Sequence, residues 1–351
     1  MKKLFAQILA CSIVSMSLAG CGSSTPAAPS QASSNASSVS QASSGPESKS
    51  EAGSGAAVEN SGPVDEEVVK ANSDYRITLI VKNLVNPMWT SVYDGAKAAA
   101  EAAGCTLTVL APATPDNNEQ QIGQIEQSIA KGEDAIVLLP ADGAGIVPGV
   151  EEANQAEIPV IDVNTKVDTS TGAKVETFVG VENYDASCSV AEALAKMLGE
   201  TGDIIILEGK AGASSSVDIV AGANDIFKKY PSIKVVASQT ADWSRDKAMT
   251  VTQNLLQAYP DAAAIFAAND EMAMGALKAV EEAGKAGEIL ITGLDANDDA
   301  KEAVDSGILA ATCDKNGYGQ GWAGLMAAVK KLNGETLEER IVVPTSLYVK
   351  K

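Results

Sequence analysis

The chain is 351 residues long, which exceeds one average domain, so its length predicts two lobes that each bury a hydrophobic core. Hydrophobic residues make up 45% of the chain but aromatic residues only 4%, which favours aliphatic packing of helices on sheets. The formal net charge of -20 argues against a nucleic-acid partner, because phosphate binding needs clustered Lys and Arg.

The chain contains no histidine. This absence excludes Ser-His-Asp and Cys-His catalysis, as well as zinc sites built on histidine. It leaves carboxylate catalysis open. Of the five cysteines, Cys11 and Cys21 lie in the N-terminal segment, and Cys105, Cys188 and Cys313 are too scattered for a disulfide framework or a metal motif. We expect neither a metal nor a cofactor.

Residues 1–21 have the order of a secretory signal. Two lysines precede an apolar segment from Leu4 to Val14, and the segment closes on Leu18-Ala-Gly-Cys21. The apolar stretch is too short, and its end too polar, for a stable membrane span. Leu-Ala-Gly-Cys is similar to the lipobox of bacterial lipoproteins, which implies acylation of Cys21 and attachment to the outer face of the cytoplasmic membrane. An ordinary cleaved signal is the alternative.

Residues 22–73 have the composition of a tether. From Gly22 to about Pro63 the chain consists of Ser, Ala, Gly, Pro and Gln with almost no large apolar side chain. Such a segment cannot bury enough surface to offset its chain entropy. We therefore expect residues 22–73 to be disordered and to hold the folded part away from the membrane.

Strands and amphipathic helices alternate after Tyr75. Short apolar runs predict strands at residues 76–81, 106–110, 135–139 and 160–163. Helical spacing of apolar residues predicts helices at residues 88–103, 120–130 and 146–156. This order is typical of a parallel sheet that helices cover on both faces.

A second set of the same kind begins near Thr177. Its predicted strands are residues 178–181, 204–207, 235–238, 264–267, 289–291 and 309–312. Its predicted helices are residues 185–198, 217–229, 245–258, 271–283 and 319–332, followed by an extended segment at 341–349. The chain therefore carries two similar halves, and we predict an α/β fold of two doubly wound, parallel-sheet lobes.

Polar residues follow four of these strands. They are Asn86-Pro87, Asp162-Val-Asn164-Thr165, Asn269-Asp270 and Asp295-Ala-Asn297. Open α/β sheets bind ligands at the carboxyl edge where such residues lie. Each cluster alone could equally be a helix cap. Their recurrence favours a shared ligand site.

Two tryptophans occupy comparable positions at predicted helix starts. An exposed Trp ring loses apolar burial unless something packs on it, so Trp89 and Trp243 are candidate platforms for a ligand. Core packing is the alternative for both rings. Trp322 lies inside a helical pattern and is predicted to be core.

Residues 75–350 resemble the ribose-binding type of periplasmic sugar-binding protein, the receptor component of ABC importers. Five segments are similar to signatures of that family and stand in family order: Asn86-Pro87, Ala156-Glu-Ile-Pro-Val160, Val251-Thr-Gln-Asn-Leu-Leu256, Asn269-Asp-Glu-Met-Ala-Met-Gly-Ala-Leu277 and Gly307-Ile-Leu-Ala-Ala-Thr312. No helix-turn-helix precedes the first strand, which disfavours the related DNA-binding regulators.

The resemblance implies two lobes that are joined by three hinge strands and close over one ligand. The first lobe would comprise residues 74–181 and 316–343, and the second residues 182–315 and 344–351. The crossings would lie near Val181-Glu182, Asp314-Lys315 and Val343-Pro344, and the protein would be a monomer.

The resemblance also implies a set of sugar-contacting residues. Carried over position by position, they are Asn86, Met88, Trp89, Asn164, Thr165, Ile219, Trp243, Asn269, Asp295 and Lys315. Ribose itself is not expected as the ligand, because Asn164-Thr165 replaces the Asp-Arg of a ribose binder and Ile219 replaces an arginine. Lys315 replaces a glutamine and adds a positive charge that Asp295 can partly neutralise; a solvent-facing hinge residue is the alternative role for Lys315.

These observations predict a lipid-anchored, extracytoplasmic solute-binding protein that captures a sugar or sugar-like molecule and delivers it to an ABC permease. A ligand-sensing role, with docking on a chemoreceptor or sensor kinase, is a first alternative. An enzyme on the same scaffold is a second, but it would need paired carboxylates or a nucleophile in the cleft. Asp295 is the one carboxylate that we place there, so we expect no catalysis.

Overall fold

The computed structural model describes residues 68–351. The predicted signal segment, the lipobox cysteine Cys21 and most of the predicted tether lie outside the described residues.

The first sheet contains six parallel strands: β1 (Arg76–Ile80), β2 (Thr106–Leu110), β3 (Ala135–Leu138), β4 (Val160–Val163), β5 (Thr177–Gly180) and β11 (Arg340–Val342). Their order is β11-β5-β4-β3-β1-β2. The helices of this lobe are α1 (Pro87–Ala103), α2 (Asn118–Lys131), α3 (Val147–Gln155) and α9 (Gly317–Leu332).

The strands of the first sheet are buried on both faces. Leu79 and Val81 pack with α1 and α9 in one core, while Ile80 packs with α2 and α3 in another. This alternation follows from the two-residue period of a strand. Helices on both faces explain why these strands are continuous apolar runs.

The second sheet has the order β12-β10-β9-β8-β6-β7, with only β12 antiparallel among the described strands. Its strands are β6 (Thr201–Glu208), β7 (Ser232–Thr240), β8 (Ala264–Ala267), β9 (Leu290–Thr292), β10 (Ala311–Asp314) and β12 (Ser346–Val349). Its helices are α4 (Asn183–Met197), α5 (Ser214–Phe227), α6 (Arg245–Ala258), α7 (Asp270–Glu282) and α8 (Asp298–Ser306). The predicted fold class, two doubly wound α/β lobes, is confirmed.

Within residues 68–351 the chain passes between the two sheets three times. It crosses at residues 181–182 between β5 and α4, at residues 315–316 between β10 and α9, and at residues 343–345 between β11 and β12. The lobe boundaries that the resemblance implied remain a prediction. The strand predicted at 309–312 lies two residues later, so its last residue is Asp314, next to the second crossing.

Residues 68–73 dock on the first lobe, which differs from the disorder predicted through residue 73. Val69 and Ala71 pack against its core, and the Ala71 amide donates to the carbonyl of Ala103 over 2.9 Å. The Asn72 amide donates to Asn333 Oδ1 over 3.1 Å. The few apolar residues that make these contacts are too few to change the average composition of residues 22–73, so composition did not indicate them.

Candidate ligand-binding site

A cavity of about 650 Å³ lies between the lobes, at the carboxyl ends of both sheets. In each sheet the strand order reverses next to the first strand of the lobe, which is where doubly wound folds bind ligands. Another depression, of about 640 Å³, lies on the first lobe around α3. It contains none of the predicted site residues and is remote from these strand ends.

Eight of the ten residues carried over from the resemblance line the interlobe cavity. They are Asn86, Trp89, Asn164, Thr165, Trp243, Asn269, Asp295 and Lys315. Residues separated by more than 200 positions in sequence are thereby brought to one site.

Met88 and Ile219 do not line this cavity, although Met88 lines an adjoining depression of about 810 Å³ that Asp295 also lines. Met88 is 2% exposed and packs with Val92 in the core between α1 and the sheet. Ile219 is fully buried on α5 with Ala223 in the core of the second lobe. In both helices another buried residue lies four positions on, so the side chain belongs to the buried helical face.

Asn86 and Asn269 cap helices and also face the cavity. Asn86 Oδ1 accepts the Met88 amide over 2.9 Å at the start of α1, and Asn269 Oδ1 accepts the Met272 amide over 2.9 Å at the start of α7. Each cap fixes the oxygen toward the helix. Neither Nδ2 group donates to an acceptor within residues 68–351, so both remain as donors for the cavity. The capping and binding interpretations are therefore compatible.

Lys82 is a cavity residue that the sequence did not indicate. It follows β1, is 8% exposed, and donates to Asn164 Oδ1 over 3.0 Å and to Thr165 Oγ1 over 2.6 Å. Its Nζ lies 4.5 Å from the centroid of the Trp89 ring. Burial lowers the pKa of Lys82 to about 8. In sequence, a single lysine after an apolar run is typical of an exposed strand end. The burial of Lys82 is therefore visible only in the folded structure.

Lys315 and Asp295 form an ion pair at the hinge, with Nζ 3.3 Å from Oδ1. Both side chains are at least nine-tenths buried, so Lys315 is not a solvent-facing hinge residue. Burial raises the pKa of Asp295, and the neighbouring ammonium of Lys315 opposes that rise. The partial neutralisation expected from the sequence is therefore present.

Asp270 supports the loop that carries Asp295. Its Oδ1 accepts the Thr312 hydroxyl over 2.6 Å, and its Oδ2 accepts the Asn297 amide over 2.8 Å. Complete burial, together with repulsion from Asp295, raises the pKa of Asp270 well above its usual range. Asp270 lies behind the cavity wall, where it fixes the path of the chain after β9.

The two tryptophans come from opposite lobes. Trp89 is half-buried on the first turn of α1, and Trp243 is half-buried in the loop between β7 and α6. The Trp243 ring lies directly on Gly209, where an added Cβ would stand 2.0 Å from ring atom Cζ2. Trp322 stacks on Tyr318 in the first lobe, with 6.3 Å between ring centroids, and does not line the cavity.

The cavity walls hold non-glycine residues in left-handed backbone conformations. Asn164, Asp242, Trp243 and Asp295 have φ angles of 70°, 52°, 61° and 123°. Such conformations are disfavoured for side chains with a Cβ and persist where surrounding contacts over-determine them. They aim these side chains into the cleft.

Four further carboxylates line the cavity: Asp116, Asp242, Asp246 and Glu271. The expectation that Asp295 would be the one cleft carboxylate is thereby corrected, because loops and helix starts distant in sequence converge here. Glu271 and Asp242 are held in ion pairs, with Arg245 over 2.7 Å and with Lys247 over 2.8 Å.

A periplasmic binding protein domain model matches residues 77–336. The chain belongs to the periplasmic binding protein family. The ribose import binding protein of Escherichia coli is 34% identical over 275 residues, which cover 78% of this chain and 90% of that protein. The D-allose-binding periplasmic protein of the same organism is 34% identical over 264 residues, covering 74% of this chain and 84% of that protein.

Solved structures place this periplasmic binding protein among transport proteins with bound sugars and polyols. An ABC transporter solute-binding protein of Actinobacillus succinogenes, with bound D-allose, is 35% identical with a TM-score of 0.76, over 79% of this chain and 98% of that chain. One from Bacillus halodurans, with bound myo-inositol, is 29% identical with a TM-score of 0.73, over 79% of this chain and 95% of that chain.

Within residues 68–351 of this periplasmic binding protein, no helix is both long and apolar enough to cross a membrane. The same residues contain no cluster of three or more Cys, Asp or Glu side chains that could hold a metal ion.

Proposed function

We propose that this protein captures a monosaccharide or a similar small polyhydroxyl molecule between its lobes and delivers it to an ABC importer. One observation carries the proposal. The interlobe cavity combines Trp rings from opposite lobes with hydrogen-bonding groups from both sheet edges. Its volume of about 650 Å³ is that of a small-molecule site.

The named groups match the chemistry of a sugar. Trp rings can stack on the apolar face of a sugar ring, and the Nδ2 groups of Asn86 and Asn269 can donate to hydroxyl oxygens. Asp295 can accept from hydroxyl groups, and a charged acceptor forms stronger hydrogen bonds than a neutral one. A ligand that contacts both lobes stabilises the closed arrangement by its differential affinity for it.

The relatives favour transport over the sensory alternative. The E. coli relative is named an import binding protein, and the structural neighbours are named ABC transporter solute-binding proteins. Three cleft carboxylates are also engaged in ion pairs, which favours a binding role over acid–base chemistry.

A thermal-shift screen tests this function. The purified protein is screened against pentoses, hexoses, polyols, uronic acids and nucleosides. A ligand present at 100 times its dissociation constant stabilises the folded state by about 2.7 kcal/mol, which raises Tm by several degrees. If no compound raises Tm and the protein turns one of them over, the enzyme alternative is correct.

Trp243→Ala provides the matched test of the site. We expect this variant to lose the ligand-induced Tm shift, because one wall of the cleft loses its ring. Its own Tm should change little, since Trp243 is only half-buried. Trp322→Phe is the control, because Trp322 lies outside the cavity. Unchanged ligand affinity in Trp243→Ala would assign that ring a purely structural role.

The proposal includes the location and assembly of the protein. Acylated Cys21 would anchor it to the outer face of the cytoplasmic membrane, and it would act as a monomer. The motif Leu18-Ala-Gly-Cys21 supports the anchor. One complete cavity formed by a single chain supports the monomer, which light scattering of the purified protein can test.

A further inference from the structure

Five cationic side chains line the interlobe cavity: Lys82, Lys210, Arg245, Lys247 and Lys315. Three of them are neutralised within the protein, because each forms an ion pair with a carboxylate. Lys82 and Lys210 form no ion pair with any carboxylate among residues 68–351. Of these two, Lys82 is the buried one.

Lys82 has two protein acceptors for three N–H groups. Asn164 Oδ1 lies 3.0 Å from Nζ and Thr165 Oγ1 lies 2.6 Å from it, and both acceptors are neutral. The ring of Trp89 contacts the same ammonium group. No further acceptor bonds Nζ within the part of the chain that the structure describes, which leaves one N–H group for the cavity.

The charges around Lys82 do not fully compensate its burial. Asp116 favours the ammonium form, as do Asp162 and Asp295 when they are ionised, whereas burial and the like charge of Lys315 oppose it. Burial has the largest effect, and the pKa falls to about 8. A buried charge normally needs an opposite charge in contact with it. Residues 68–351 place no carboxylate within ion-pair distance of Lys82.

We propose that Lys82 is the specificity-determining residue of this cleft and that it binds the carboxylate of an acidic monosaccharide, a uronic or aldonic acid. This inference rests on the proposed function and names its ligand class. A monoanion fits better than a phosphate dianion, because Asp116 and Asp246 also line the cavity. The sequence suggested Lys315 as the residue that adds a positive charge to the site. In the structure Asp295 already neutralises Lys315 in an ion pair, so the role of binding an acid falls to Lys82.

Isothermal titration calorimetry tests the inference with matched pairs of neutral and acidic sugars. The probes are D-glucose with D-glucuronate and D-gluconate, and D-galactose with D-galacturonate and D-galactonate. We expect an acid to bind at least about tenfold more tightly than its neutral partner, since hydrogen bonds to charged groups are among the stronger ones. If the neutral sugars bind more tightly, this inference is wrong while the proposed function stands.

Lys82→Met removes the ammonium group and keeps an unbranched side chain. We expect the variant to lose about 10- to 100-fold in affinity for the acid and to keep its affinity for the neutral sugar within about threefold. Lys278→Met is the control, because Lys278 is exposed on α7 and pairs with Glu281. Equal losses for both sugars would overturn the assignment of the carboxylate to Lys82.

The pH dependence of the unmodified protein gives a second readout that does not depend on the folding of a variant. Because the pKa of Lys82 is about 8, its positive charge disappears as pH rises through that value. Affinity for the acidic sugar should therefore fall between pH 7 and pH 9, while affinity for the neutral sugar should not. A flat profile for the acid overturns the inference, and failure of every sugar to bind overturns the proposed function itself.

Discussion

Asp162 places a buried carboxyl group near the end of β4, two residues before Asn164, which accepts a hydrogen bond from Lys82. It is 2% exposed, and its Oδ2 accepts the Val167 amide over 2.8 Å. Its Oδ1 has no hydrogen-bond partner within the described part of the chain. Burial raises the pKa of Asp162 to about 8, although the Val167 bond and Lys82 oppose this rise. The group is therefore mainly protonated at neutral pH.

This proton makes stability depend on pH. Between pH 4 and pH 8 the folded state binds a proton that the unfolded state releases, so the free energy of unfolding decreases as pH rises. One such proton contributes a slope of about 1.4 kcal/mol per pH unit. Asp162→Asn removes this contribution and keeps an acceptor for Val167.

We expect Asp162→Asn to gain stability relative to the unmodified protein as pH rises from 5 to 8. Urea denaturation at pH 5, 6.5 and 8 measures the difference. Asp168→Asn, at an exposed loop position, is the control and should show no such gain. A constant difference between Asp162→Asn and the unmodified protein would mean that the carboxyl group is ionised in the folded state.

Single residues show where sequence reasoning succeeded and where it failed. Polar residues after strands predicted the cavity because parallel strands share one carboxyl edge. The helical periodicity of apolar residues could have assigned Met88 and Ile219 to the buried faces of their helices. The resemblance placed them in the site by position alone. Lys82 could not have been found, because its burial depends on Trp89 and Thr165, which reach it through the tertiary fold.

At the scale of elements, α1 and α9 pack closely through glycines. A Cβ on Gly95 of α1 would lie 1.9 Å from the Tyr318 carbonyl oxygen, and one on Gly321 of α9 would lie 1.9 Å from the Val92 carbonyl oxygen. The two helices therefore approach at backbone distance. Helix α1 begins at the cleft, and α9 begins directly after the crossing at residues 315–316. Their contact therefore connects the ligand site to this crossing between the lobes.

Two helix-interior glycines should respond to alanine with opposite signs. Gly95→Ala is expected to destabilise the protein by about 1–3 kcal/mol, because the helices must separate to admit the methyl group. Gly123→Ala in α2 is expected to stabilise it by about 0.5–1 kcal/mol, since nothing lies within 4 Å of the new Cβ. Urea denaturation compares the two variants. Effects of the same sign would mean that helix propensity outweighs packing at Gly95.

Most elements were predicted, but α8 was missed. Its sequence begins with Asp298-Asp299, directly after the polar cluster that follows β9. Its buried residues Ala300, Ala303 and Val304 have helical spacing, and Gly307 ends the helix in the left-handed conformation. Alanine contributes little apolar surface, so this short stripe gives a weak signal in sequence.

In the whole molecule, one chain of polar contacts runs from the first lobe to the second. It continues from Lys82 through Asn164, whose Nδ2 donates to Gln320 Oε1 over 3.0 Å. Gln320 Nε2 donates to the Lys315 carbonyl over 2.7 Å, and the Lys315 side chain pairs with Asp295. The floor of the cleft and the hinge are therefore one network, in which a ligand bound to Lys82 and Asp295 contacts both ends.

The proposed membrane anchor should be separable from ligand binding. We expect Cys21→Ser to move the protein from the membrane fraction to the soluble fraction of cells, with Cys11→Ser as the control from the same segment. The affinity of the released protein for its ligand should be unchanged. Membrane retention of Cys21→Ser would show that this cysteine is not the anchor.

Residues 70–72 dock beside Ala102 and Ala103 on the first lobe. That point is at the end of α1 opposite Asn86, and the 17 residues of α1 separate the two by about 25 Å. A sensor chip or a fluorescent label joined at residue 70 would therefore hold the protein by the end remote from the cleft. Immobilised in this way, the protein keeps the mouth of the cavity open to solution and can report ligand concentration at a surface.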